Sequence, residues 1–227
     1  YLSESFSKTK EGKALREGVK HIELVTDEVF KNLSDTQTPQ GILALVKQYH
    51  YTLEEVAGGS RKSAQAEDLQ EKPALLMVLE TIQDPGNLGT ILRAGEGAGV
   101  TGIVMDANTA DIYNPKVIRS TMGSVLRMPF VYVENLHETL EELKKKKIRL
   151  FAAHLQGKHA YDQEDYTGPA AFLIGNEGNG LTEETAAMAD TYIRIPMEGR
   201  VESLNAAVAA SVLMFEAARQ RRNHTGK

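Results

Sequence analysis

The chain has 227 residues, 41% of them hydrophobic and 25% charged, with a formal net charge of −5 and no cysteine. This composition is typical of a globular protein of one or two domains, and it excludes disulfides, thiolate metal sites and indiscriminate binding of polyanions. No apolar run reaches the ~20 residues of a membrane span and nothing resembles a signal peptide, so we expect a cytoplasmic protein.

The front of the chain, residues 1–57, is predicted to be a small α/β module. The stretches HIELVTDEVFKNLS and GILALVKQ indicate short strand and helix pieces around a turn at 38–41. The chain opens without methionine on a strand-like YLSESF, which suggests that the start of this module is missing. A linker is predicted at 58–72, because that stretch lacks apolar periodicity and is rich in small and charged residues.

From 73 to 227 the pattern predicts a second, larger α/β domain. Apolar runs of strand length alternate with helical patterns, which indicates a mainly parallel sheet with helices on both faces. In such sheets ligands bind in the loops that follow the strands. The predicted strands are 74–80, 101–105, 129–133, 148–154, 170–175 and 191–196, and the predicted helices are 88–98, 135–147, 182–189 and 203–220.

The first candidate loop, QDPGNLGTILRAGEGAGV, follows the first of these strands. Asp84 and Asn87 can cap the next helix. Gly89, Arg93 and Glu96 share a helix face. Because Gly89 has no side chain, Arg93 is left open to a partner. The alternative is a surface pair of Arg93 with Glu96, worth less than about 1 kcal/mol.

The second loop, LIGNEGNGLT, matches a P-loop at every fixed position except the lysine, where Leu181 stands. With Glu177 inside the loop, a triphosphate would meet like charge, so nucleotide binding of that kind is not expected. The glycines let backbone touch a ligand that is positive in part. The alternative, a plain turn into a helix capped by Thr182, leaves those glycines unexplained.

The third loop, IPMEGRVESLNAAVAAS, again joins a strand to a helix. Ser203 and Asn205 are predicted at the helix start, where unpaired N–H groups and the helix dipole favour an anion, and Arg200 is close by. The alternative is that Ser203 is an ordinary N-cap and Asn205 a polar residue of the first turn.

Positive charge is also clustered elsewhere in the chain, at Arg61 and Lys62, at Lys144 to Lys147, and at Arg219, Arg221 and Arg222. These clusters are also compatible with solvated helix faces.

Together, NLGTILR (87–93), IGNEGNGL (174–181) and IPMEGRVESLNAAVA (195–209) resemble, in this order, the three signature motifs of the SpoU or TrmH-like branch of the SPOUT RNA methyltransferases. The resemblance covers roughly residues 73–222, including a connecting segment at 114–130. It implies a fold with a C-terminal trefoil knot and S-adenosylmethionine-dependent methylation of a ribose 2′-hydroxyl in RNA. The front module, with TPQGILALV, is similar to the L30e-like substrate-binding domain.

The resemblance also implies roles for single residues. Arg93 would activate the substrate, as the base or as its organiser, although a free arginine with a pKa above ~12 is a poor base. Ala206 and Ala207 depart from the motif, where relatives often carry Val-Ser. The residues that would complete the catalytic site are Asn87, Glu177, Ser203 and Asn205, and those that would contact the cofactor are Gly175, Ile195 and Leu204, with Asn176, Gly180 and Met197.

The partners implied are an RNA, with ribosomal RNA favoured over transfer RNA, and a second copy of the chain. In that homodimer Arg93 could be donated across the interface, for which the alanine-rich helix 203–220 offers a surface. The six histidines show no ligand spacing, so no catalytic metal is expected. The alternatives left open are a base-methylating SPOUT enzyme, a transfer-RNA 2′-O-methyltransferase and a non-catalytic RNA-binding assembly protein; a nucleotide hydrolase would need the missing lysine.

Overall fold

The structure, a computed structural model, describes residues 1–58 and 73–224. The chain divides into two compact units, Tyr1–Tyr49 and His50–Lys227. Apart from Gly58, the predicted linker 58–72 lies outside the described residues, and so do Arg61 and Lys62. None of the helices in the described ranges is long and apolar enough to cross a membrane.

The first unit consists of short elements. In chain order they are β1 (Leu2–Ser3), α1 (Glu4–Ser7), α2 (Lys10–Gly18), β2 (Leu24–Val25) and α3 (Asp27–Leu33). The strand predicted at the start of the chain is only two residues long, because Ser3 already caps α1 by accepting a hydrogen bond from the Phe6 amide. The strand or helix expected in GILALVKQ is reduced to a single bridge between Leu2 and Ile42.

The second unit is built on a seven-stranded sheet in which every pairing is parallel, as predicted. Its elements are α4 (Leu53–Ala57), β3 (Leu75–Leu79), α5 (Pro85–Ala98), β4 (Gly102–Asp106), α6 (Pro115–Ser120), β5 (Phe130–Val133), α7 (Leu136–Lys145), β6 (Arg149–Ala153), β7 (His159–Ala160), β8 (Ala170–Ile174), α8 (Glu183–Ala187), β9 (Thr191–Arg194) and α9 (Ala206–His224). The strand order is β5-β4-β3-β8-β6-β9-β7. The six predicted strands are present within two residues at each end, whereas α4, α6 and β7 were not predicted.

The sheet is covered by apolar side chains on both faces. Because successive side chains of a strand point to opposite faces, Leu75, Met77 and Leu79 of β3 join one core cluster. Leu76 and Val78 join the other. The first cluster includes residues of α5 and α9, and the second includes residues of α4, α7 and α8. Double coverage explains why the central strands read as continuous apolar runs.

Helix α5 is defined at both ends by its sequence. The Asp84 side chain accepts a hydrogen bond from the Asn87 amide, and Pro85 occupies the first turn, where its missing N–H costs nothing. Gly99 ends the helix in the left-handed conformation, with φ +82°. Small residues let α9 approach it closely, since a Cβ built on Gly95 would lie 3.4 Å from the Met214 sulfur.

The start of α9 differs from the prediction. The helix begins at Ala206, and the Asn205 side chain caps it by accepting hydrogen bonds from the amides of Ala207 and Val208 at 3.0 and 3.3 Å. Ser203 lies before the helix, so its interpretation as the N-cap and the helix start at 203 are wrong. Serine and asparagine cap about equally well, so residue type alone could not choose between them.

The end of α9 is fixed by Arg221. Its guanidinium donates hydrogen bonds to the carbonyl oxygens of Pro73, Ala74, Tyr166 and Gly168, at 2.7 to 3.0 Å. Burial lowers the pKa of this guanidinium to about 10. Because the guanidinium loses its proton only near that pH, it stays charged at pH 7 and keeps its hydrogen bonds to the carbonyl oxygens. Arg221 therefore joins the last helix to the starts of β3 and β8.

Candidate active site

A cavity of about 560 Å³ lies at the carboxyl ends of the strands. Its walls come from the loops after β6, β8 and β9 and from the first turns of α9, which is the position that open parallel sheets use for ligands. The volume falls within the range of small-molecule sites. All six residues assigned to cofactor contact line this one cavity: Gly175, Asn176, Gly180, Ile195, Met197 and Leu204.

The glycine loop after β8 folds back on itself. Asn176 and Gly180 form an antiparallel bridge, and the Asn176 side chain accepts a hydrogen bond from the Gly178 amide at 2.8 Å. Gly175 lies under this turn, where a Cβ would come within 2.1 Å of the Leu181 nitrogen and the Gly180 carbonyl carbon. Gly180 has φ +71°, a conformation that glycine adopts without strain. Glycine is therefore required here so that backbone forms the cavity wall.

Three predicted catalytic residues, one from each loop, form a hydrogen-bonded set. The Asn87 Nδ2 donates to Glu177 Oε1 at 2.9 Å, and the Asn205 Nδ2 donates to Asn87 Oδ1 at 3.0 Å. The Asp84 amide also donates to Glu177 Oε1, at 3.3 Å. Because Asn205 caps α9 with its other amide atom, its orientation is fixed from both sides. We call Asn87, Glu177 and Asn205 the polar triad.

Ser203 and Glu177 line the cavity, so the structure places them beside the predicted cofactor contacts. Ser203 is exposed, two residues before the cap of α9. Its hydroxyl is not needed to start the helix, since Asn205 does that. It remains available to a ligand at the cavity mouth.

Arg93 does not join the triad within one chain. It is exposed on α5 and is not among the residues that line the cavity. Asn87 and Arg93 are six residues apart on the same helix, which corresponds to about 9 Å along the axis and a rotation of roughly 120°. The side chain of Arg93 therefore points away from the direction in which Asn87 meets Glu177.

Arg93 is exposed, which agrees with the prediction that it is open to a partner. The neighbouring Gly89 is covered by α6, since a Cβ there would lie 1.7 Å from the Ser120 Oγ. Glu96 is bound by Arg127, whose Nη2 donates to it at 2.9 Å, and by the Ser124 hydroxyl. Among the described residues the predicted alternative of an Arg93 pair with Glu96 is thus not observed. α6, which was not predicted, covers Gly89, and the segment 124–127 that follows it binds Glu96.

The loop after β6 also belongs to the site, although it was not predicted to do so. Ala153, His154, Leu155 and Gln156 line the cavity, and the His154 ring lies 5.1 Å from the Tyr192 ring. A Cβ on Gly157 would come within 2.7 Å of the Ile193 carbonyl carbon, so this loop packs tightly on β9. The rule that ligands bind after parallel strands could have found it, since β6 was predicted.

The cavity suits S-adenosylmethionine better than a polyphosphate. The described residues that line it include two carboxylates, Glu177 and Glu202, one arginine, Arg194, and no lysine, so the lining carries a net negative charge that compensates a positive sulfur. Apolar atoms of Leu213, Ile174 and Ala206 can cover a flat ring, while loop backbone supplies polar contacts. Within the described residues, no group of three or more acidic or histidine side chains is placed to hold a metal ion.

Comparison with family models gives two matches. Residues 74–215 match the model described as the SpoU rRNA Methylase family, and residues 1–52 match the model described as RNA 2′-O ribose methyltransferase substrate binding. The first match contains all three loops of the candidate site.

Similar proteins and structures are also found. The chain is similar to the 23S rRNA (guanosine(2553)-2′-O)-methyltransferase RlmP of Bacillus subtilis, with 31% identity over 192 residues that cover 85% of this chain and 70% of the relative. It is similar to the SpoU methyltransferase AviRb from Streptomyces viridochromogenes in complex with AdoMet, with TM-score 0.81, 27% identity and coverage of 97% and 81%. The AdoMet-bound rRNA methyltransferase from Sinorhizobium meliloti gives TM-score 0.78 and 29% identity over 95% of this chain and 77% of that one.

Proposed function

This chain belongs to the SpoU rRNA methylase family, and on that premise we propose that it transfers the methyl group of S-adenosylmethionine to a ribose 2′-hydroxyl of ribosomal RNA. The observation that carries the proposal is the cavity whose walls are the glycine loop and the loop before α9, with the polar triad at its side. A site of this composition accepts a cationic cofactor and leaves polar groups for a sugar.

The residues of the chain position the cofactor and the ribose and stabilise developing charge. When bound, the cofactor supplies a methyl group on a positive sulfur, which is already activated towards displacement. Backbone at Gly175, Ile195 and Leu204 would hold it, and the triad fixes the relative positions of the three loops. Alignment of this kind converts an encounter between two reactants into a step within one complex.

Arg93 acts, in this proposal, from the second copy of the chain. It faces away from the triad of its own chain, so a symmetric partner must deliver it to the cavity. A guanidinium with a pKa above ~12 does not remove a proton at neutral pH. It would instead hold the ribose oxygen and stabilise the negative charge that develops there as the methyl group is transferred and the hydroxyl proton passes to solvent. Arg93 is then an organiser of the substrate and not the base.

The dimer would use the outer face of α9. Val208 and Phe215 are each 49% exposed, and together with half-buried Val212 they form an apolar stripe at helical spacing. The opposite face of the helix packs on the core through residues such as Ala210 and Leu213. An exposed apolar stripe next to α5, which carries Arg93, supports an interface at this position.

Phe215→Asp is expected to convert the dimer into a monomer, because a carboxylate placed in an apolar interface loses its hydration without gaining a partner. Size-exclusion chromatography with light scattering measures the mass. Val29→Asp is the matched control, since Val29 on α3 is 46% exposed. If Phe215→Asp keeps the mass of the parent dimer, the outer face of α9 is not the dimer interface.

The substrate would be ribosomal RNA, as the name of the Bacillus subtilis relative supports. The first unit, which matches the substrate-binding model, would provide RNA contacts beyond the catalytic unit. A trefoil knot also remains a prediction. The placement of β8 between β3 and the earlier strand β6, with α9 returning to α5, supports it.

Incubation with labelled S-adenosylmethionine and RNA that lacks the modification is expected to place label in large ribosomal RNA at a linkage that resists alkali. Alkaline hydrolysis requires a free 2′-hydroxyl, so a resistant dinucleotide identifies 2′-O-methylation. Label in transfer RNA would favour that alternative substrate, and label released with a methylated base would favour base methylation. Cofactor binding without any transfer would support a binding protein and contradict the proposed activity.

A further inference from the structure

Thr81, which lies two residues beyond the end of β3, has an unusual backbone conformation. Its φ is +56°, in the left-handed region that branched side chains rarely adopt. A conformation of this kind persists only when the surroundings hold it, and such positions are common at functional sites. Thr81 does not line the cavity itself.

Asp106, at the end of β4, holds Thr81 in place. The Thr81 amide donates to Asp106 Oδ1 at 2.9 Å, and the Thr81 hydroxyl donates to Asp106 Oδ2 at 2.7 Å. Asp106 is buried and is itself fixed by the Thr109 amide and hydroxyl, at 2.9 and 2.7 Å. Its two oxygens therefore bind both donors of Thr81 from a rigid position.

The conformation of Thr81 determines where its carbonyl points. That carbonyl accepts a hydrogen bond from Asn176 Nδ2 at 3.0 Å. The other side-chain atom of Asn176, Oδ1, accepts from the amides of Gly178 and Asn179. Asn176 thus connects a carbonyl on the β3 loop to the glycine loop that lines the cavity.

We propose that Asp106 is a positioning residue for S-adenosylmethionine, because it holds Thr81 in a left-handed conformation that aims a carbonyl at Asn176 and so fixes the glycine loop. Asp106 touches neither the cavity nor the polar triad. The inference rests on the proposed function, since it takes the glycine loop to be the cofactor site.

The experiment measures S-adenosylmethionine affinity by calorimetry for Asp106→Ala, alone and combined with Thr81→Gly. Asp106→Ala frees Thr81 to leave the left-handed region, and the affinity is expected to fall about tenfold, or ~1.4 kcal/mol. Glycine adopts positive φ without a steric cost, so Thr81→Gly in the Asp106→Ala background is expected to recover most of that loss. Asp106→Asn keeps an acceptor for the Thr81 amide and is expected to bind within about twofold of the parent.

The matched control is Lys147→Gly in the Asp106→Ala background. Lys147 also has positive φ, +60°, but follows α7 at the opposite edge of the sheet. Glycine there can raise the melting temperature without recovering affinity. Equal recovery by both glycines, or parental affinity in Asp106→Ala, would overturn the proposal, whereas failure of the parent to bind the cofactor would reject the proposed function instead.

If Asp106→Ala does not fold, Thr81→Ala and Thr81→Gly in the parent provide the test. Both lose the hydroxyl, but only alanine must be forced into the left-handed conformation. Glycine is expected to bind the cofactor about threefold more tightly than alanine, a difference of ~0.7 kcal/mol. Equal affinities of the two variants would overturn the proposal.

Discussion

Gly175→Ala is expected to weaken S-adenosylmethionine binding about 100-fold, because the added methyl group meets backbone that cannot move independently. A Cβ on Gly175 would lie 2.1 Å from the Leu181 nitrogen and 2.2 Å from the Gly180 oxygen. Insertion of one carbon into a packed region costs about 1–3 kcal/mol, and here the strain opens the glycine loop itself. At ~1.4 kcal/mol per factor of ten, the upper part of that range gives the stated loss. Calorimetry measures it directly.

Two neighbouring glycines provide graded controls. A Cβ on Gly178 would touch only the Asn176 Oδ1, at 3.4 Å, so Gly178→Ala is expected to bind within about twofold of the parent. Gly180 has open space around its Cβ position but φ +71°, so Gly180→Ala is expected to lose about tenfold through backbone strain. Equal losses in all three variants would mean that the contacts under Gly175 do not hold the cavity wall.

The features that sequence predicted are local ones. Strands such as β3 and β8 can be identified as continuous apolar runs because both of their faces are buried. A parallel sheet then places the loops that follow them at one edge. The glycine loop was identified as a ligand loop because turn chemistry did not require its glycines. Thr182 was correctly expected to cap α8.

The features that sequence could not predict depend on distant residues. Asn87 meets Glu177 across 90 residues and Asn205 across 118, and no local pattern reports such pairs. Nothing in the sequence of α5 reveals that α6 packs on Gly89. The cap of α9 is Asn205 and not Ser203, and the Asn205 side chain both caps the helix and binds Asn87. Tertiary contact decided between two residues of nearly equal capping strength.

Arg93→Ala is expected to reduce methyl transfer about 1,000-fold while cofactor affinity stays within about twofold of the parent. Loss of a group that stabilises only the developing oxygen anion typically lowers the rate by a factor of about 10²–10³. Single-turnover transfer to RNA and calorimetry separate the two quantities. Arg149→Ala is the control, because Arg149 lies at the amino end of β6, opposite the cavity. Transfer at the parental rate in Arg93→Ala would defeat the assignment.

Whether Arg93 acts across the dimer is decided by mixing Arg93→Ala with Gly175→Ala at a cofactor concentration close to the parental dissociation constant, where Gly175→Ala alone binds almost no cofactor and Arg93→Ala alone transfers almost no methyl group. Arg93→Ala retains an intact cavity, and Gly175→Ala retains an intact arginine. In a mixed dimer an arginine delivered in trans completes one site, that of the Arg93→Ala subunit, whereas an arginine acting in cis completes none. Statistical exchange makes half of the dimers mixed, each with one working site of two, so activity of about a quarter of the parental value is expected. If the mixture is no more active than the separate variants, Arg93 does not act across the dimer. Arg93 turns away from the triad of its own chain, so action within one chain would require α5 to rotate.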